Sequence, residues 1–178
     1  MAKRKQPKTD AGGPYLAAAF FCETTIEDKQ DGTVSAIRLV DQLVFTLDRS
    51  APPDFPSETQ RLPVTIKGLL SFKTGNSPGN HKVRIVMESP SGKMNPAFEQ
   101  DLPFSPEPHG GANVRLNHTI MVKAGGLFWF HIFLDGKEVT RMPLQISVQR
   151  EQPASPPRSP GGEPQGNVQP PESMCRGE

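Results

Sequence analysis

Cysteine is scarce. The 178 residues hold two, Cys22 and Cys175, and no CxxC pair exists for metal or redox chemistry. Two thiols at opposite ends make no disulfide framework, and reduced thiols suit a cytosolic protein. Cys22 lies in an apolar run and reads as a small buried hydrophobe. Long apolar runs are lacking too. The longest, Tyr15 to Cys22, has eight residues, where a membrane-spanning helix needs about 20. No stretch keeps a 3.6-residue apolar period. The 20 prolines, more than twice the usual ~5% share, argue against a helical bundle because interior Pro breaks helices. Charge of one sign is missing as well: 20 Lys and Arg face 19 Asp and Glu.

What is present becomes informative once it is divided along the chain. Residues 1–13 carry Lys3, Arg4, Lys5 and Lys8 against Asp10, a net of +3. Residues 151–178 carry Arg158 and Arg176 against Glu151, Glu163, Glu172 and Glu178, a net of −2. The middle, 14–150, is neutral and holds all ten Phe, the only Trp and the only Tyr. It alone can build a core, and a neutral domain has no electrostatic footprint for nucleic acid. The last 28 residues contain seven Pro and four Gly and read as a disordered tail. Within that tail, Pro157 to Pro160 matches PxxP only as such composition does by chance. The basic start reads as a solvated, disordered tail. It does not read as a signal peptide, because Asp10, Gly12, Gly13 and Pro14 interrupt the approach and bulky Phe20-Phe21 precede Cys22.

The period of the middle segment is two. Leu62, Val64, Ile66, Gly68, Leu70 and Phe72 alternate with polar residues as a half-buried strand. Ile37, Leu39, Leu43, Phe45 and Leu47 share one parity, with a bulge or short turn at Asp41-Gln42. Val83, Ile85 and Met87 form a third row. Phe98, Leu102 and Phe104 belong to an edge strand, since Pro96, Pro103 and Pro106 cannot donate to a central ladder. Val114, Leu116, His118, Ile120 and Val122 form the next row. A short Ala124–Gly126 link leads to Leu127–Leu134, and Asp135-Gly136 is a type I′ hairpin signal before Lys137–Val148. About eight short strands with turn signals between them predict an all-β fold. The expected form is a single antiparallel β-sandwich, immunoglobulin-like, over 14–150.

No HxH, HExxH, P-loop or GxGxxG occurs. The chain therefore reads as a non-enzyme, with no metal site and no cofactor. If Ala124–Gly126 closes a hairpin with Lys123 opposite Leu127, His118 faces Ile132 and His131 faces Thr119. The two histidines then point to opposite faces and share no metal. His118 sits in the core row as a hydrogen-bonded core or rim residue. The other face presents Trp129, His131 and Phe133, with Met121 opposite Trp129. Two large aromatics and a Met on a face where water is expected mark an interaction surface. The competing reading is a central strand covered on both sides.

In order along the chain stand an apolar strand at Leu16–Cys22, a Gly32-Thr-Val-Ser35 step into Ala36–Val40, and a Pro52–Pro56 loop. The alternating strand Leu62–Phe72 follows, then Val83–Gly92 as Val-x-Ile-x-Met and its turn. An aromatic strand, the Asp-Gly turn and a Pro-Leu-x-Ile ending close Leu127–Val148. This order resembles an uncharacterised bacterial family of short β-sandwich proteins, a domain of unknown function. The resemblance implies a bacterial cytosolic β-sandwich and lends no site residues. The expected function is a non-catalytic protein-binding or assembly module. Trp129, Phe133, Met121 and His131 would be its interface toward a protein partner or a homo-oligomer, with no nucleic acid and no membrane involved. The alternative is a carbohydrate- or lipid-binding sandwich using loops 49–60, 74–80 and 105–112, where Phe55 is the only aromatic.

Overall fold

The computed structural model describes residues 12–107 and 110–151. The segments read as disordered tails lie outside the described residues except for Gly12, Gly13 and Glu151, and His109 and Cys175 lie outside them too. Nine strands follow in order: β1 (Tyr15–Glu27), β2 (Val34–Leu39), β3 (Gln42–Leu47), β4 (Leu62–Lys73), β5 (Gly79–Glu88), β6 (Met94–Phe104), β7 (Gly111–Val122), β8 (Gly126–Leu134) and β9 (Lys137–Arg150). They form a four-stranded sheet, β2-β1-β4-β7, and a five-stranded sheet, β3-β9-β8-β5-β6. The described residues contain no helix, hence none long and apolar enough to cross a membrane.

Alternation decides which side of each strand is buried. Val64, Ile66, Leu70 and Phe72 of β4 join Val114, Leu116, Ile120 and Val122 of β7 in one buried cluster with Phe128, Phe130, Ile132 and Leu134 of β8. Rings from the two sheets meet inside it. Phe21 of β1 stands edge-on to Phe130 at 5.0 Å between centroids, and Phe72 lies 5.9 Å from Phe104 of β6. Such pairs add about 0.5–1.5 kcal/mol beyond the area they bury. Gly68 interrupts the buried row of β4 for a reason. A Cβ there would lie 2.6 Å from the Phe20 carbonyl and 3.4 Å from the Phe21 ring, so its absence leaves room for Phe21. Cys22 is buried as expected, and burial pushes its thiol up, with Lys67 pulling the other way.

Three expectations are corrected. Among the described residues the strands number nine, because the segment 37–47 is two strands in different sheets. Arg38 adopts a positive φ of 54°, Val40 N–H donates to Phe21 of the first sheet, and Asp41 O accepts from Gln145 of the second. The shared parity therefore does not survive the crossing. Ile37 and Leu39 are 40% and 65% exposed, while Leu47 is buried. Second, the pairing is not wholly antiparallel, since β3 runs parallel to β9. Third, Ala124–Gly126 is no hairpin. β7 pairs along its whole length with β4, and β8 pairs with β5 and β9. The link carries the chain from one sheet to the other. The rows expected side by side in one sheet instead face each other in the core. β6 does stand at an edge, with Pro96 and Pro103 where a ladder would need donors.

Candidate functional site

On β8 the even positions are buried, so Trp129, His131 and Phe133 point to the outer face of the five-stranded sheet. The neighbouring strands give this face its chemistry. Glu88 of β5 lies beside Trp129, Val86 beside His131 and Arg84 beside Phe133. From β9 come Pro143, Arg141 and Glu138, facing the same three residues. Glu138 and Arg141 are an odd number of positions apart and would ordinarily face opposite ways. A register shift between Ile132 and Phe133 leaves an extra residue on β9 and brings both outward.

His131 is the centre of the arrangement, only 7% exposed. Its Nε2 lies 2.9 Å from Glu88 Oε2 and its Nδ1 lies 3.1 Å from Glu138 Oε1. The hydrogen bond to Glu88 holds the imidazole above its ordinary value; burial opposes this, and Glu138 adds to it. Both ring nitrogens are thus engaged by carboxylates, and in the protonated form each can donate to one. On either side a guanidinium covers an aromatic ring. Arg141 Cζ stands 4.8 Å from the centre of the Trp129 ring, and Arg84 Cζ stands 4.6 Å from that of Phe133. The aromatic face is therefore neither bare nor buried under another element. Its rings are half-buried beneath the cations of their own sheet.

Met121 is not part of this face. It belongs to β7 in the other sheet, opposite Pro63, and is 51% exposed. The missing hairpin separates it from Trp129. His118 stands in the buried row of β7 yet is exposed, because it lies at the gap between edge strands β6 and β7. A groove of about 480 Å³ opens there, edged by Arg61, Lys93, Lys123 and Met121 above apolar Ile120 and Phe128. Loop 49–60 reaches it through Glu58, which is ion-paired with Lys123.

A second histidine, His81, is also fully engaged. Its Nδ1 lies 2.7 Å from Asp135 Oδ2 and its Nε2 lies 2.8 Å from the Ser77 carbonyl. Burial pulls its pKa down, but the bonds to Asp135 and Ser77 leave it raised overall. Among the described residues no three His, Cys, Asp or Glu side chains converge where a metal ion would sit. The sequence reading found Trp129, His131 and Phe133 from alternation and missed Arg84, Glu88, Glu138 and Arg141. The first two were legible in the parity of β5; the β9 pair depends on the bulge.

No family model matches the chain, and no curated protein matches it. Several solved structures share parts of its backbone. An alkylpurine DNA glycosylase of Pseudomonas fluorescens, bound to DNA containing an abasic site analog, is 10% identical with a TM-score of 0.35, covering 60% of this chain and 27% of its own. A β-glucosidase from Listeria innocua in complex with isofagomine is 5% identical with a TM-score of 0.37, covering 62% and 15%. An immunoglobulin-like protein from Pseudomonas aeruginosa is 7% identical with a TM-score of 0.35, covering 76% and 98%. The chain thus spans only a minor part of the first two. At these TM-scores the likenesses carry no functional inference.

Proposed function

We propose that the chain is an immunoglobulin-like β-sandwich acting as a non-catalytic protein-binding module in the bacterial cytoplasm. Its contact surface is the outer face of the five-stranded sheet around Trp129, His131 and Phe133. One observation carries this reading: two aromatic rings lie under arginines on either side of a histidine held by two carboxylates. Trp and Arg dominate binding hot spots. Side chains already held by stacking and ion pairs lose less conformational freedom when a partner arrives. The saturated nitrogens of His131 and His81 fit a binding role better than an acid–base one.

Trp129 is the only tryptophan, so its fluorescence reports on this face alone. Partners captured from a host lysate by the full chain should shift that emission. Trp129→Ala should weaken their binding by about 2 kcal/mol, and Arg141→Glu should do so while leaving the Trp129 ring in place. Capture unaffected by both variants would overturn the proposal. A Trp129→Ala chain that unfolds leaves Arg141→Glu to decide.

A further inference from the structure

Four strands stand at sheet edges among the described residues: β2, β7, β3 and β6. Edges invite pairing with other chains unless they are blunted. Three are blunted. β2 and β3 have six residues each, and Arg38 twists the end of β2 with its positive φ. β6 carries Pro96 and Pro103 and a register shift against β5. β7 has none of these devices. It runs for 12 residues without proline, and its ladder with β4 is regular from Gly111 to Val122. Its other side faces no strand among the described residues.

We infer that β7 pairs antiparallel with β7 of a second copy of this chain, about a twofold axis at Asn117. The sequence of the strand supports that occupant over an unrelated peptide, because it is compatible with itself. With the axis at Asn117, Arg115 faces Thr119 of the second copy and Met121 faces Asn113. Lys123 faces Gly111, which has no side chain to meet. Val114 faces Ile120, and Leu116 faces His118. Outward residues meet outward residues, so both cores stay closed. The only charge in the outward row of β7, Arg115, is drawn toward Glu27 at 2.8 Å. Centring the axis on Arg115 would oppose two guanidiniums, and centring it on Thr119 would oppose Arg115 and Lys123. The pairing is isologous and closes as a dimer. It joins the two four-stranded sheets into one and gives the exposed Met121 a neighbour. This surface is separate from the Trp129 face and does not depend on it.

Sedimentation equilibrium of the full chain tests the inference. The expected result is a dimer whose dissociation constant rises at least about tenfold in Asn117→Asp, because two carboxylates then face each other at the axis. The thermal midpoint of the monomer should be unchanged. A second test is covalent. In a Cys175→Ser background, Asn117→Cys should link into a dimer under mild oxidation, since directly opposed Cβ atoms lie about 4.5–5.5 Å apart. Arg115→Cys should not link, its copy being displaced along the ladder. A chain that stays monomeric up to its solubility limit overturns the inference. So does a dimer that neither Asn117 variant affects, or one that Trp129→Ala dissolves instead.

Discussion

His131 owes its place to a match between donor count and acceptor count. An imidazolium has two N–H groups, and Glu88 and Glu138 each take one. The match holds only while the ring is charged. Because the folded pKa lies above the ordinary value of about 6.5, this stabilisation is fully present below about pH 6.5. It is lost as pH rises through the raised folded value. His81, also raised overall, contributes with the same sign. Urea unfolding should therefore give a stability that declines as pH rises from about 6.5 through the raised folded values. His131→Gln should flatten the decline and cost about 2 kcal/mol at the acid end, as charge-assisted hydrogen bonds are lost. A wild-type slope retained in His131→Gln would remove His131 from the effect. The sequence showed that Trp129, His131 and Phe133 share one side, since alternation needs no knowledge of a partner strand. It did not show who stands beside them.

That difference recurs at the level of elements, in the two short links that flank β8. Asp135-Gly136 was legible as a turn: Asp135 and Gly136 adopt φ of 50° and 80°, as a type I′ hairpin requires. Asp135 also accepts the Lys82 N–H through Oδ1 at 2.9 Å, tying the turn to β5. Gly136→Ala should lower stability by about 1 kcal/mol, through backbone strain alone. The open space around Gly136 excludes a packing explanation, and urea midpoints measure the change. Ala124–Gly126 resembles a hairpin link equally well in sequence, yet it joins two sheets. Link length does not reveal whether the next strand pairs with the last one or faces it across the core. The register shift beside Phe133 was hidden for a related reason. From the turn alone, Thr140 would face His131; the bulge puts Arg141 there instead and makes the Trp129 stack possible.

For the whole molecule, composition was enough to mark out the neutral, aromatic middle segment, and its period-two alternation to give an all-β fold. Pairing order was not legible, because β1 with β4, and β3 with β9, join segments that no local pattern connects. The proposed sandwich makes a direct prediction about its two layers. Phe21 and Phe130 belong to different sheets and touch edge to face. A double-mutant cycle of Phe21→Leu and Phe130→Leu should show a coupling of about 0.5–1.5 kcal/mol in unfolding free energy. Strict additivity would mean that the layers do not meet there.

The parallel pairing of β3 with β9 also sets a timetable. β3 is made before β9, its only strand partner among the described residues. A hairpin can close as soon as its second arm appears, whereas this contact must wait for nearly everything between. On the ribosome the four-stranded sheet and the β5-β6 ladder have their partners before β9 exists, and β3 does not. Until then Leu43 and Phe45, which pack against the core in the finished protein, have no strand beside them. The β3 edge of the five-stranded sheet can therefore close only after β9 has been made.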